Sequence, residues 1–447
     1  MTRAMADCRL PADALLLPLS DGALLVSRKA AVFCRIPAEH VADVQDVLAD
    51  SGDAGGLSPE LIEDMRRHAC FAPPRPESPA PRTVQLQITN ACNLACAYCC
   101  TNSGPARRRE VTFEQMLDVV RRIPEVLGPA TSVAILGGEP LLIPWALDLA
   151  EAIVEQGLSL TVFTNGLPLI EEPLARRMAE LMARGVNVRI SLAGAGPSSC
   201  DAVSGTPRFG PVLDAVRQLV RFGGKPALDV MLIPGLLDDI VAELPSLRRG
   251  LPPGIKLSLG VLYRSGRETG ERLFRSRREL EAALDRVAFE TGECIPATKS
   301  RPVMERRDGC SCALGRHVHV RSDGGVFNCF KMEEKVGDLF REGFVAAAQD
   351  IAAHPHRATA LPVCSDCPLA TLCGGGCRSE NLLYTGDPDC PPCGPWRVRT
   401  LSELLAEDCV SAVDWPLAFL LEEARARGIE PPPDLEPKHM SRHLLDT

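Results

Sequence analysis

From residue 84 to residue 262, short apolar runs alternate with amphipathic stretches, and this rhythm leaves few folds open. VQLQIT (84–89), SVAIL (132–136), LTVFT (160–164), VNVRISL (186–192), ALDVMLI (227–233) and KLSLGVL (256–262) read as strands. Helical stretches lie between them, one starting at Thr112 and others over about 143–156, 172–184, 209–222 and 237–248. Thr112 suits an N-cap, and Phe113, Met116, Val119 and Val120 then repeat at the helical period. Strands alternating with helices pair in parallel, because each helix carries the chain back across the sheet. Six such units, incompletely closed, predict an α/β partial (βα)6 barrel whose ligands sit at the C-terminal ends of the strands.

The flanks follow other rules. Over residues 10–36, LLLPL, ALLVS and AVFCRI are separated by Ser20-Asp21-Gly22 and by Arg28-Lys29, the pattern of a three-stranded meander. A helical stretch at about 38–50 has Val41, Val44, Val47 and Leu48 on one face. Phe71–Arg82 is Pro-rich and reads as an extended linker. Past residue 300 the alternation ends in a Cys-, Gly- and Pro-rich region, followed by an apolar helical stretch at about 401–425 and a polar tail. The expected domains are therefore 1–75 (a small α+β domain), 76–300 (the barrel), 301–400 (the Cys-rich region) and 401–447.

A net charge of −9 argues against nucleic-acid and anionic-membrane partners. No apolar run is long enough to span a bilayer. Asp7 and Asp13 interrupt any basic-then-apolar export signal, so a cytoplasmic, reducing setting is expected. In that setting 19 cysteines at short regular spacings read as metal or iron–sulfur ligands. Cys92, Cys96 and Cys99 form C-x3-C-x2-C directly after the first strand. Three thiolates can hold three corners of a [4Fe–4S] cube, leaving one iron for chelating oxygen and nitrogen atoms of a ligand. A structural zinc site is the alternative, but zinc asks for four closed ligands, and Cys100 is poorly placed to be the fourth. Gly137-Gly138-Glu139-Pro140 ends the second strand, where glycines allow close backbone approach and Glu139 can accept from an ammonium. Thr164-Asn165-Gly166 ends the third strand and Ser191 lies near the end of the fourth.

CNLACAYC with GGEP, TNG and a polar fourth-strand end resembles the radical S-adenosylmethionine (radical SAM) family over about residues 84–265. The resemblance implies a [4Fe–4S] cluster on Cys92, Cys96 and Cys99 whose open iron binds SAM, and reductive cleavage of SAM to a 5′-deoxyadenosyl radical. It places Tyr98 near adenine, Gly137, Gly138, Glu139 and Pro140 at the SAM ammonium, and Asn165 and Ser191 on the ribose or carboxylate side. One departure stands out. Ser191-Leu192-Ala193-Gly194 replaces the family's Ser-x-Asp-Gly, which leaves Arg208 as the candidate for the SAM carboxylate; a solvated helix-start residue is its alternative role.

A second cysteine series runs from Cys312 through Gly324 to Cys329, then Cys364, Cys367, Cys373 and Cys377, with Cys390 and Cys393 beyond. Paired zinc-ribbon sites are the plain alternative. The order resembles the SPASM extension behind many radical SAM barrels, which implies two auxiliary [4Fe–4S] clusters and three in all. By that resemblance Cys312, Cys329 and Cys377 hold one, with Cys310 as a candidate fourth ligand, and Cys364, Cys367, Cys373 and Cys393 hold the other. Cys8, Cys34, Cys70, Cys100, Cys200, Cys294 and Cys409 read as small buried apolar residues. His317 and His319 alternate on an expected strand and read as structural.

The family context implies a peptide or protein substrate and a flavodoxin- or ferredoxin-type electron donor. Two oxidations fit: cross-linking of a ribosomally made precursor peptide, or oxidation of a Ser or Cys side chain as in anaerobic sulfatase maturation. A small-molecule substrate and a non-catalytic iron–sulfur or zinc protein are the further alternatives. The layout of residues 1–75 resembles the peptide-recognition element of precursor-peptide maturases, which binds a leader as an added strand; a capping subdomain is the other reading.

Overall fold

The computed structural model describes residues 8–71 and 82–392, apart from 20, 28–31, 51, 68–69, 108, 292–314, 355, 366–369 and 371–373. It forms two compact units, one built from Ala80–Lys299 and Ala313–Pro355, the other taking in the residues before 80 and those after 355.

In the second of these, β1 (Ala14–Leu19), β2 (Gly22–Ser27) and β3 (Val32–Pro37) make an antiparallel meander with β2 in the centre. A short 3₁₀ turn leads into α1 (Val41–Asp50), and α2 (Pro59–Arg67) follows. Leu25, Cys34 and Ile36 on the sheet pack with Val44, Leu61, Ile62 and Met65 on the helices, joined by Cys8 and Cys70. The burial of Cys8, Cys34 and Cys70 accords with their reading as apolar bystanders.

The larger unit carries the alternation read from sequence. The strands are β4 (Thr83–Gln87), β5 (Ser132–Leu136), β6 (Ser159–Thr164), β7 (Asn187–Leu192), β8 (Ala227–Leu232) and β9 (Lys256–Val261). The helices are α3 (Phe113–Leu127), α4 (Ala146–Glu155), α5 (Glu172–Ala183), α6 (Pro197–Ser204), α7 (Phe209–Arg221), α8 (Leu237–Gly250) and α9 (Arg277–Thr291). Thr112 caps α3 with a reciprocal box to Gln115. All six strands pair in parallel in chain order.

The sheet also runs on beyond the boundary the sequence suggested near residue 300. β10 (His317–Val320) adds in parallel beside β4, and β11 (Gly325–Phe327) and β12 (Lys335–Asp338) extend it in antiparallel sense before α10 (Gly343–Ala353). The result is a nine-stranded sheet in the order β12-β11-β10-β4-β5-β6-β7-β8-β9. Beyond it, α11 (Arg378–Thr385) starts directly after Cys377, in the other unit.

Strand alternation sorts the side chains. Val84, Leu86, Val133, Ile135, Leu160, Val162, Val188, Ile190, Leu228 and Val230 join the helices in one core. Their neighbours in sequence face the other, concave side, where Gln85, Gln87, Thr161, Arg189, Ser191 and Asp229 are polar and Ala134, Phe163 and Met231 are apolar. There Arg189 grips Asp229 with two bonds of 2.8 and 2.6 Å. No helix among the described residues is long and apolar enough to cross a membrane.

Candidate functional site

The loop after β4 carries Cys92, Cys96 and Cys99, all partly exposed. Three strand ends hold it. From β5, the Gly138 N–H donates to the Thr89 carbonyl and the Glu139 N–H to the Ala91 carbonyl, both at 2.8 Å. A Cβ on Gly138 would lie 2.2 Å from the Ala91 oxygen, so only glycine permits this approach. From the β7 side, the Ala97 N–H reaches the Val203 carbonyl of α6, and the Arg208 guanidinium bonds the Tyr98 hydroxyl at 3.1 Å. From the β9 side, Arg267 donates through Nε to the Cys96 carbonyl (2.9 Å) and through its backbone N–H to the Cys99 carbonyl (2.9 Å), while Nη1 reaches the Ser103 carbonyl. Ser265 Oγ donates to the Cys100 carbonyl at 2.9 Å. At the loop's base, Glu110 accepts from Thr89 Oγ1 and the Asn90 N–H.

The thiols differ. Burial alone would raise the Cys99 pKa, but hydrogen bonds from Thr101 and the Ser103 N–H, with the Arg267 charge, hold it below the ordinary thiol value. Burial raises Cys92, and pushes Cys100 up to about 11, which keeps Cys100 a thiol. Among the described residues no three His, Cys, Asp or Glu side chains converge on one ion. A cube asks for something different, three thiolates each on its own iron, and the partly exposed cysteines with N–H···S bonds and a nearby guanidinium suit such an anionic cluster.

Glu139 links two strand ends. Its carboxylate is fully buried, and both oxygens are turned onto neighbouring backbone and onto β6. Oε1 accepts from the Leu141 N–H (3.1 Å) and Thr164 Oγ1 (2.8 Å), and Oε2 from the Asn165 N–H (2.6 Å). Glu139 thus ties GGEP to TNG. Asn165 passes the connection on, bonding Asn93 Oδ1 at 2.8 Å and lying 4.0 Å from the Cys92 sulfur. Pro140 opens the 3₁₀ turn behind Glu139.

Burial pushes the Glu139 pKa up to about 7 against the pull of its three donors. A carboxyl raised in the folded state binds more protons folded than unfolded between about pH 4.5 and about pH 7. Stability from this group is therefore present at the acid end and lost as pH rises through that window, by about 3 kcal/mol. Glu139→Gln is expected to remove that slope, measured by anaerobic denaturant unfolding at both ends of the window. An equal slope in parent and variant would contradict it.

Arg208 is not a solvated helix-start residue. It is 2% exposed. Its Nε donates to Ser204 Oγ at 2.9 Å, and no carboxylate among the described residues forms an ion pair with its side chain. Burial pulls its pKa down, but Tyr98, Cys200 and Cys96 outweigh that and hold it above the ordinary value. Burial likewise raises the Tyr98 phenol. Ser191 faces the concave side beside Asp229 in the β7–β8 register.

Of the second cysteine series, Cys329 follows β11 and accepts from the Lys331 N–H at 3.4 Å. Cys364 and Cys377 are buried in the other unit, where Cys377 caps α11, and Cys390 is partly exposed there. Cys294, Cys310, Cys312, Cys367, Cys373, Cys393 and Cys409 and the 401–425 stretch lie outside the described residues. Arg267 and Glu110 were not legible as site residues: single charged residues in loops, they gain meaning only from partners far along the chain.

The radical SAM superfamily profile matches residues 86–245. GTP 3′,8-cyclase of Nostoc sp. is 30% identical over 278 residues, covering 57% of this chain and 83% of that protein. Mycofactocin maturase MftC of Mycolicibacterium smegmatis is 27% identical over 74% of this chain and 86% of its own. PqqA peptide cyclase of Streptomyces rochei is 26% identical over 70% and 90%. Among solved structures, Streptococcus suis SuiB bound to its precursor peptide SuiA shares the fold with a TM-score of 0.53 at 14% identity, covering 86% of this chain and 98% of SuiB. The AdoMet-bound anSMEcpe structure does so with 0.54 at 16%, covering 78% and all of that chain. The chain belongs to the radical SAM superfamily, enzymes that work with a [4Fe–4S] cluster and S-adenosylmethionine.

Proposed function

We propose that this enzyme is a peptide maturase that oxidatively cross-links a ribosomally made precursor peptide. The observation that carries this reading is the span of similarity. The mycofactocin maturase and the PqqA peptide cyclase align over 74% and 70% of this chain, against 57% for the GTP cyclase, whose likeness favours a small-molecule substrate.

Cys92, Cys96 and Cys99 hold the cluster in this reading. When bound, cluster and SAM supply a 5′-deoxyadenosyl radical that removes a hydrogen atom from the substrate. The chain's own residues bind, orient and exclude water. Gly137 and Gly138 bring backbone against the loop, and with Pro140 and Glu139 they form the side that meets the SAM ammonium. Tyr98 lies on the adenine side, Asn165 and Ser191 on the ribose or carboxylate side. Arg208 neutralises the SAM carboxylate, a role supported by a buried guanidinium whose side chain pairs with no described carboxylate. Cys310, Cys312, Cys329 and Cys377 would hold one auxiliary [4Fe–4S] cluster and Cys364, Cys367, Cys373 and Cys393 another, and such clusters would supply a route for the second electron of the oxidation. A flavodoxin- or ferredoxin-type protein supplies the reducing electron.

Residues 1–75 act as the leader-binding element. β1 and β3 each pair with β2 alone, so among the described strands each keeps one edge for an added strand. The test is competition. With a candidate precursor peptide, leader and core together, as substrate, excess free leader is expected to inhibit turnover, and a leaderless core is expected to turn over poorly. Equal turnover of core and full-length peptide would overturn the leader role.

A further inference from the structure

We propose that the concave face of β4 and β10 is a hydrogen-bonding wall, made by Gln85, Gln87, His317 and His319, that receives a neutral amide group of the substrate. This deepens the peptide reading above and rests on it.

The register places the four together. Val318 and Val320 stand opposite Val84 and Leu86, and all four valine and leucine side chains belong to the helix-facing core. The residues between them therefore face the concave side, with His319 opposite Gln85. β4 is also the strand that runs into the cysteine loop, so the wall adjoins the reaction centre.

Their polar ends are unpartnered. Gln85 Oε1, Gln87 Nε2, His317 Nε2 and His319 Nδ1 are buried and find no hydrogen-bond partner among the described residues. Gln87 and His319 are only 2% and 1% exposed. A buried polar group left without a partner is costly, so a cluster of four asks for a ligand rather than for a structural account. His317 and Gln85, half-buried, form the open side.

The chemistry selects the ligand. Burial holds His317 and His319 at about 4 and about 3, so both imidazoles are neutral near pH 7. A neutral imidazole and a carboxamide each offer a donor and an acceptor. The four carry no carboxylate for a cation, and the cations beside them, Lys331 over Tyr263 and Phe330 and Arg321 over Phe327, are already engaged with aromatic rings, so the acetate arm of the test is the one an anion site would win. A peptide bond or an Asn or Gln side chain presents a C=O and an N–H together and matches the mixed set. Phe330 fixes the wall, packing 6.2 Å from both imidazole rings and 5.6 Å from Tyr263 beyond β9.

The test uses the reconstituted full-length holoenzyme with ¹⁵N-labelled histidine, titrated with N-acetylglycinamide, acetate or methylammonium. The diamide is expected to shift the His317 and His319 ring signals saturably, while the two ions do not. Gln85→Leu, which keeps bulk, is expected to weaken that binding about tenfold, and Gln85→His, which restores a neutral donor–acceptor end, to recover most of it. Circular dichroism and iron content report folding; if Gln85→Leu does not fold, His317→Phe takes its place. No saturable shift, equal shifts with all three probes, or parent-like binding in the apolar variant would overturn the wall, and buried water would then satisfy these atoms. The titration involves no turnover. Its failure leaves the maturase reading standing, whereas an unmodified peptide beside intact diamide binding sinks that reading alone.

Discussion

Replacing Cys92, Cys96 and Cys99 together with alanine is expected to lower the iron content from about twelve to about eight per chain and to abolish SAM cleavage. Each [4Fe–4S] cube carries four irons, and in the proposed reading these three thiols are its protein ligands on the loop after β4. The change should leave the fold intact. The loop is held largely by backbone and by other side chains: Arg267 on the Cys96 and Cys99 carbonyls, Gly138 and Glu139 on the Thr89 and Ala91 carbonyls. Iron and sulfide analysis with EPR of anaerobically reconstituted protein reads the result. An unchanged iron count would move the cluster off this loop. A parent holding about four irons, or zinc, would remove the auxiliary clusters instead.

Arg208→Leu is expected to raise the KM for SAM on the order of a hundredfold or more, with a smaller effect on kcat. Removing one member of a buried charge pair costs about 2–5 kcal/mol, much of it from the partner left unpaired. In the proposed reading that partner is the SAM carboxylate, and the Tyr98 hydroxyl and Ser204 Oγ lose their bonds as well. Arg208→Lys keeps the charge without the fork and should recover part of the loss. An unchanged KM beside a lowered melting temperature would assign Arg208 to support of Tyr98 alone.

The six parallel strands were legible because each is an apolar run with turn residues at its end, and periodicity survives tertiary context. α6 was not, since PSSCDAVS is short and polar, with no apolar stripe to announce a helix. The extension by β10, β11 and β12 was hidden for another reason. β10 pairs with β4, more than 200 positions earlier, and local pattern carries no record of so distant a partner.

The site divides in the same way. The cysteines and GGEP are local motifs, and reading them placed the loop and the strand ends. What each side chain does depends on contacts across the sheet. Glu139 next to two glycines reads as a ligand group, and its carboxylate also bonds Thr164 and Asn165. Arg208 at a helix start reads equally as solvated, and only the packing of α6 and Tyr98 around it decides otherwise. Arg267 lies 171 residues from the Cys96 carbonyl it grips, a pairing no spacing rule could anticipate.

The most direct measurement of the central claim is mass spectrometry of a candidate precursor peptide, taken from any short reading frame neighbouring the gene, after anaerobic incubation with reduced enzyme and SAM. The peptide is expected to become lighter by a pair of hydrogens for each cross-link, with 5′-deoxyadenosine formed alongside. Formation of 5′-deoxyadenosine while the peptide keeps its full mass would contradict the maturase assignment.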